Sequence, residues 1–193
     1  MLRAVFHLLI LSLAPGLVLA ETATTVFAGG CFWCMESDYQ DRDGVLDVVS
    51  GFTGGTLANP TYQGNHRGHY EAVKITYDSA VISYADLLES YWHHIDPFDP
   101  WGQFCDKGPS YRSAIFVADA GERELAVASR EGVSARFPQQ EVVTEILDAS
   151  TFWPVEDYHQ DYYKKNPLRY KYYRWNCGRD QRLTEIWGDQ AGH

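Results

Sequence analysis

The segment from Glu71 to Asp78 restricts the fold more than any other part of the chain, because its polar and apolar residues alternate with a period of two. Side chains of a β-strand point alternately to its two faces, so Val73, Ile75 and Tyr77 share one face with Glu71. A strand with one apolar face needs a second layer to cover it. The pattern therefore predicts a strand over 71–78 and places the Glu71 carboxyl group on its buried face.

Strands and helices alternate along the rest of the chain. A capping serine, Ser83, with Asp86 three residues later begins a helix that Pro97 ends. Other strands are indicated by β-branched runs at 24–28, 45–52, 113–118 and 141–147. One further helix is expected to begin at Cys31 and to end before the turn at Asp43 and Gly44, and another is expected over 122–136. We predict an α+β fold, a two-layer α/β sandwich with a mixed, mainly antiparallel sheet.

Two long loops and an aromatic tail connect and surround these elements. The segments 56–68 and 96–111 contain prolines and glycines and few apolar residues, as binding loops often do. The tail over 152–187 is rich in Tyr, Trp, Lys and Arg. We expect it to be a long aromatic C-terminal tail that wraps the core, since its rings suit packing better than nucleic-acid binding in an acidic protein.

The N-terminal 20 residues have the pattern of a secretory signal peptide. Arg3 supplies a positive start, an apolar run follows, and Ala20 ends a small-residue cleavage site. We expect residues 1–20 to be removed and residues 21–193 to form one domain, exported to the periplasm or the medium. Its charge would be 15 − 26 = −11, which disfavours nucleic acid or anionic membrane as a partner, and we expect a monomer.

Cys31 lies where a strand is expected to turn into a helix. Gly29 and Gly30 permit a tight turn after the strand, and Phe32 and Trp33 follow the thiol. A cysteine in the first helical turn is close to unpaired N–H groups and to the positive end of the helix dipole, so we expect a stabilised thiolate. Such a nucleophile beside an apolar aromatic pocket suits a small apolar group attached to an electrophilic centre.

Glu71 is the complementary group. Burial disfavours a charged carboxylate, so Glu71 is expected to keep its proton to a higher pH than a free glutamate and to act as a general acid. The alternative role is a structural ion pair with Lys74 or with an arginine.

Five short motifs in order give the chain a specific resemblance. They are Gly30-Cys31-Phe32-Trp33, Asn59-Pro60-Thr61-Tyr62, Gly68-His69-Tyr70-Glu71, Asp106 followed by Tyr111-Arg112-Ser113, and Tyr158-His159-Gln160-Asp161-Tyr162. Together they span nearly all of the chain after residue 20, and the chain thereby resembles the A-type peptide methionine sulfoxide reductases.

The resemblance implies a role for each matching residue. Cys31 would attack the sulfoxide sulfur, and Phe32 with Trp33 would hold the S-methyl group. The sulfoxide oxygen would be bound by Glu71, Tyr62 and Tyr111, with Glu71 donating a proton and Asp106 positioning these groups. Methionine would leave a sulfenic acid on Cys31, and the family takes the S epimer of free or protein-bound methionine sulfoxide.

The resemblance also implies that a second cysteine forms a disulfide with Cys31, which a thioredoxin-like or other dithiol donor reduces without a bound cofactor. We favour Cys177, which Asn176 and Gly178 flank in a tail segment that could swing; Cys34 and Cys105 are the alternatives. No metal is expected, since the cysteines and histidines lack zinc-site spacing.

Two other classes of protein remain open. The Cys31-x-x-Cys34 pair would also suit a thiol–disulfide oxidoreductase that acts on protein disulfides. Four cysteines in an exported chain would also suit a binding module held by two structural disulfides. Turnover of methionine sulfoxide with a dithiol distinguishes a sulfoxide reductase from a thiol–disulfide oxidoreductase. A count of free thiols distinguishes it from a binding module with two disulfides.

Overall fold

A computed structural model describes residues 21–192. The predicted signal peptide lies outside the described residues, so the expectation of export and cleavage stays a prediction. Within residues 21–192, no helix combines the length and the apolar character that a membrane span requires.

Six strands form one mixed sheet, and two short strands form a hairpin. In chain order the strands are β1 (Thr22–Gly29), β2 (Val45–Thr53), β3 (Tyr70–Asp78), β4 (Gly102–Gln103), β5 (Asp106–Lys107), β6 (Ser113–Val117), β7 (Glu145–Asp148) and β8 (Trp153–Pro154). The order across the large sheet is β7-β6-β1-β3-β2-β8, and β4 pairs with β5 alone. Neighbours in the large sheet are antiparallel except β6 and β7, which are parallel. The predicted fold class is confirmed.

Helices pack on the sheet and extend along the C-terminal part of the chain. They are α1 (Phe32–Tyr39), α2 (Tyr84–His93), α3 (Ala120–Arg136), α4 (Tyr162–Lys165), α5 (Pro167–Asn176) and α6 (Arg179–Trp187), with 3₁₀ turns at Pro109–Tyr111 and Gly188–Gln190. The capping box that Ser83 and Asp86 predict is present at the start of α2. The strand predicted over 141–147 begins only at Glu145.

The strand with alternating residues has the orientation that its pattern predicts. Val73, Ile75 and Tyr77 are buried in the main core with the rings of Phe27 and Tyr91. Glu71 is only 1% exposed and lies opposite Phe52 of β2 in the sheet. The fold therefore carries a buried carboxyl group next to the hydrophobic core.

Buried ion pairs attach the C-terminal helices to α1. Asp38 of α1 pairs with Arg174 of α5 at 2.6 Å and with Arg179 of α6 at 3.3 Å. The guanidinium group of Arg179 also donates to the carbonyl oxygens of Gly29 and His94. Arg174 and Arg179 flank Cys177, so the segment that was expected to swing is held on both sides in this structure.

Candidate active site

Cys31 lies at the junction between β1 and α1. Gly30 has a φ of +84°, and a Cβ atom on it would come within 2.6 Å of the Gln103 side chain, so glycine is needed at this turn. The helix begins at Phe32, so Cys31 is its N-cap residue and not, as predicted, part of its first turn. The thiol is buried rather than exposed.

A small cavity of about 50 Å³ lies in front of this thiol. Its walls come from α1, β3, the 56–68 loop, β5, the 3₁₀ turn at Pro109–Tyr111 and α5. The lining residues are Cys31, Phe32, Trp33, Tyr62, Glu71, Asp106, Tyr111 and Tyr173. The structure thus brings together seven residues that the sequence and its resemblance single out, and adds Tyr173.

The Glu71 carboxyl group has one satisfied oxygen and one free oxygen. Its Oε2 accepts a hydrogen bond of 3.2 Å from the backbone N–H of Phe32, whereas Oε1 is buried and makes no hydrogen bond of good geometry among residues 21–192, although the Tyr111 hydroxyl is near enough to oppose part of the pKa shift of Glu71. Burial raises the pKa of Glu71 to about 8, and the negative charge of Asp106 adds to the effect. No salt bridge involves Glu71 in the described part of the chain, which disfavours the ion-pair alternative. At neutral pH this group is a protonated acid facing the cavity.

Three tyrosines and an aspartate complete the polar side of the cavity. Burial raises the pKa of Tyr62 to about 12 and that of Tyr111 further, so both keep their hydroxyl protons and can donate them to a ligand oxygen. Tyr173 donates its hydroxyl proton to Oδ2 of Asp106. Burial also raises the pKa of Asp106 above its ordinary value.

Aromatic stacking holds the apolar side of the cavity in place. The Trp33 indole lies on the Tyr162 ring with 3.8 Å between centroids and an angle of 7°, and its N–H donates to Nδ1 of His159 at 3.0 Å. Phe32 packs between Phe52 and the rings of Tyr62 and His159. A rigid aromatic wall of this kind fits a small apolar group such as a methyl.

The thiolate expected at Cys31 is wrong for the resting protein. Burial is the main cause that raises the pKa of Cys31 well above its usual value, followed by the contact with Cys34 and the charges of Glu71 and Asp106. The interaction with Cys31, with help from the positive charges of Arg179 and Arg174, lowers the pKa of Cys34 although burial opposes this change. A proton held by one of the two thiols therefore stabilises a negative charge on the other.

The other two cysteines form a disulfide with each other. Cys105 and Cys177 are joined across a sequence separation of 72, and Cys31 and Cys34 are free. Both sulfurs lie within 4.0 Å of an Asp106 oxygen, so this disulfide is next to the residue that closes the cavity. One disulfide and two free thiols do not match the alternative of a module with two structural disulfides.

Several residues of the site were given no role from the sequence. Tyr173 belongs to the aromatic tail, and only the fold distinguishes it from the other rings there, whereas Tyr162 ends the motif that begins at Tyr158. His159 and Glu36 are buried; Glu36 accepts hydrogen bonds from the backbone N–H of Asp161 and from the Ser50 hydroxyl. The only signal for His159 in the sequence was the motif over 158–162. That motif did not indicate which residue His159 contacts.

A free thiol, a protonated carboxyl group and two hydroxyl donors around an apolar wall define a thiol-dependent oxidoreductase site. Such a site can bind a group that carries a methyl on one side and a polar oxygen on the other, while the sulfur attacks between them.

Comparisons with known proteins identify the family. The model of the peptide methionine sulfoxide reductase family matches residues 23–191, and the chain belongs to that family. It is 53% identical to peptide methionine sulfoxide reductase MsrA 2 of Caulobacter vibrioides, over 91% of this chain and 90% of that protein. It is 50% identical to MsrA of Bacillus licheniformis, over 87% of this chain and 94% of that protein.

Solved structures of the same type have the same fold. Methionine sulfoxide reductase A of Corynebacterium diphtheriae has a TM-score of 0.68 and 30% identity, covering 76% of each chain. Reduced Mxr1 of Saccharomyces cerevisiae has a TM-score of 0.71 and 26% identity, covering 77% of this chain and 87% of that one. The protein is thus an A-type enzyme that uses cysteine chemistry to reduce methionine sulfoxide.

Proposed function

We propose that Cys31 is the nucleophile and Glu71 the general acid in this reduction. The observation that carries the proposal is the free Oε1 of Glu71, a buried acid with a raised pKa in the same small cavity as the Cys31 thiol. A protonated carboxyl group there can donate to the sulfoxide oxygen, which gains negative charge as the sulfur is attacked.

The proposed first step forms a bond between Cys31 Sγ and the sulfoxide sulfur. Cys34 takes the proton that Cys31 donates towards it, Glu71 protonates the oxygen, and Tyr62 and Tyr111 donate hydrogen bonds to that oxygen. Asp106 positions these groups, and Phe32 with Trp33 holds the methyl group. The substrate S–O bond and the new sulfur–sulfur bond then break as the oxygen passes to Cys31 Sγ, so methionine leaves and Cys31 becomes a sulfenic acid.

For the second step we propose Cys34 as the first partner of Cys31. Condensation of the sulfenic acid with the Cys34 thiol forms a disulfide and releases water. The interaction between the Cys31 and Cys34 thiols supports this order. Cys177, in contrast, is joined to Cys105 in this structure. Cys177 keeps a part in the cycle, since the reduced Cys105 and Cys177 pair can exchange with the Cys31–Cys34 disulfide beside Asp106.

An external dithiol would then reduce the Cys105–Cys177 disulfide, and no bound cofactor is needed. We propose a thioredoxin-like protein as the donor. Yeast Mxr1, whose fold is similar with a TM-score of 0.54 and 19% identity, has been crystallised in complex with Trx2. The exposure of Cys105 supports access by a protein donor.

We propose that the substrates are the S epimer of methionine sulfoxide, free or in oxidised exported proteins, and that the enzyme acts as a monomer in the periplasm or the medium. The N-terminal pattern supports export, and the acidic charge disfavours membranes and nucleic acids as partners.

The decisive experiment is turnover of methionine sulfoxide with dithiothreitol by the wild type and by Cys31→Ser. We expect Cys31→Ser to lose all activity and to keep the circular dichroism spectrum of the wild type, because one oxygen replaces one sulfur. A variant that keeps a tenth of the activity contradicts the assignment. Reduction of a protein disulfide without turnover of the sulfoxide would instead support the thiol–disulfide oxidoreductase.

A further inference from the structure

Three metal-binding side chains meet at the tip of the β4–β5 hairpin. Cys105 Sγ lies 3.9 Å from Asp106 Oδ1, and Cys177 Sγ lies 4.0 Å from Asp106 Oδ2. Their ligand atoms all lie within 4.8 Å of one another, the only such cluster of three His, Cys, Asp or Glu residues among residues 21–192.

The spacing of the cysteines along the sequence gave no reason to expect a metal, but the fold brings these three groups together, and we propose that the reduced form of the protein binds one Zn²⁺ ion through Cys105, Cys177 and Asp106. Tetrahedral zinc with sulfur at about 2.3 Å and oxygen at about 2.1 Å separates a sulfur from an oxygen ligand by roughly 3.6 Å, and two sulfurs by roughly 3.8 Å. The observed distances, 3.9 Å from Cys105 Sγ to Oδ1 of Asp106 and 4.0 Å from Cys177 Sγ to Oδ2, are somewhat longer and end on different oxygens, so the carboxylate has to close on the ion with one or both oxygens. Reduction of the disulfide supplies the remaining change, because the two sulfurs then move apart to nonbonded contact.

Neighbouring groups orient the ligands as the outer shell of a zinc site does. The backbone N–H of Cys105 is 3.2 Å from Cys177 Sγ, where it can stabilise a thiolate. Tyr173 donates to the Asp106 carboxylate and holds it in place. Cys177 is also the C-cap residue of α5, and the negative end of a helix favours a cation.

The ligand set selects zinc among the common divalent ions. Two thiolates and a carboxylate suit zinc, whereas magnesium and calcium prefer oxygen ligands alone. Three protein ligands leave the fourth position to water. Cys105 is exposed, so an ion can reach the site from the solvent.

Binding is coupled to the redox state of the pair. A dithiol supplies two electrons and two protons to the disulfide, whereas a phosphine supplies the electrons and water supplies the protons as the phosphine oxide forms; either route gives two thiols. Zinc then displaces the two thiol protons to the solvent as it forms two zinc–sulfur bonds. A pair that holds zinc cannot pass electrons to Cys31, so zinc would arrest recycling and protect both thiols from oxidation.

The test is titration of Zn²⁺ into the whole protein, followed by calorimetry and by competition with a chromogenic chelator. Protein reduced on an immobilised phosphine should bind one equivalent, and oxidised protein should bind at least 100-fold more weakly. Cobalt in place of zinc should give thiolate-to-cobalt charge-transfer absorption. Tyr173→Phe should weaken zinc binding about 10- to 100-fold, as loss of an outer-shell partner does.

Two matched variants assign the site, since each removes one thiol. Cys105→Ser should lose the tight binding, whereas Cys34→Ser should keep it. Equal binding by reduced and oxidised protein would overturn the proposal, and so would loss of binding in Cys34→Ser with retention in Cys105→Ser. Neither result depends on sulfoxide turnover, so the roles proposed for Cys31 and Glu71 stand or fall separately.

Discussion

Replacing Glu71 by glutamine tests two roles of the Glu71 carboxyl group. Its proton should speed catalysis, and its burial should lower the free energy of unfolding at high pH. Burial raises the pKa of Glu71 from 4.5 to about 8. One pKa unit corresponds to 1.36 kcal/mol, so the folded protein disfavours the ionised carboxylate by about 5 kcal/mol. Glutamine has nearly the same shape and can still accept the hydrogen bond from Phe32, but it has no acidic proton to donate.

The rate should depend on this proton. With a pKa of about 8, roughly nine-tenths of Glu71 is protonated at pH 7, and activity should fall as the pH rises above 8. Glu71→Gln should lower the single-turnover rate of sulfoxide reduction by about 10² to 10⁴ and should remove this alkaline decline.

Stability should change in the opposite direction. Between pH 4.5 and 8 the folded state holds a proton on Glu71 that the unfolded state has lost, so the free energy of unfolding falls by about 1.4 kcal/mol for each pH unit. This loss is complete above pH 8. The variant carries no such penalty, and its free energy of unfolding at pH 9 should exceed that of the wild type by several kcal/mol, up to about 5.

Urea unfolding at pH 5 and pH 9, together with rapid-quench kinetics across that range, measures both effects. Glu36→Gln is the matched control: its pKa is also raised by burial, to about 7, but Glu36 binds Ser50 and Asp161 and does not line the cavity. We expect this control to keep the alkaline decline in rate. A Glu71→Gln variant with the rate and pH profile of the wild type would refute the argument.

Three further substitutions test other parts of the structure. Trp33→Ala should raise KM more than it lowers kcat in steady-state assays, because the wall contacts substrate and transition state alike; a fall in kcat alone would contradict this role. After one turnover without reductant, peptide mapping should find Cys31 joined to Cys34, and Cys34→Ser should accumulate sulfenic acid that a dimedone probe traps; a Cys31–Cys177 link would restore the direct route. Asp38→Ala should lower the free energy of unfolding in urea by about 3–5 kcal/mol, since buried Arg179 loses its carboxylate partner and Arg174 keeps only Asp180, and a change below about 1 kcal/mol would show that solvent reaches them.

Local patterns in the sequence were sufficient to predict the position of a side chain where that position depends on a single strand or helix. The alternation over 71–78 placed Glu71 on the buried face correctly, because side-chain direction in a strand depends only on position. Cys31, Phe32 and Trp33 line the same cavity, as expected from their adjacent positions in the sequence. The assembly of Tyr62, Asp106 and Tyr111 around them came from the family resemblance, since nothing in their spacing indicates that the loops meet.

Two features of the site depend on packing that the sequence does not reveal. A helix N-terminus stabilises a charge by about 0.3–1 kcal/mol, whereas full burial can shift a pKa by several units. Burial therefore outweighs the dipole at Cys31, and the depth of a residue is a property of the whole fold. The pairing of Cys105 with Cys177 likewise depends on how α5 docks against the hairpin, which the buried contacts of Asp38 decide.

The buried cluster of Asp38, Arg174 and Arg179 affects the stability of the protein whenever the Cys105–Cys177 disulfide is reduced. A disulfide between residues 72 apart lowers the entropy of the unfolded chain enough to stabilise the folded one by about 4 kcal/mol. If this bond opens in every cycle, the free energy of unfolding is lowest while the pair is reduced. The melting temperature measured in the presence of a reductant should then be lower than that of the oxidised protein. The ion pairs of Asp38 with Arg174 and Arg179 do not depend on the redox state, so they keep α5 and α6 docked on α1 while the disulfide is reduced. Cys177 therefore stays close to Cys105.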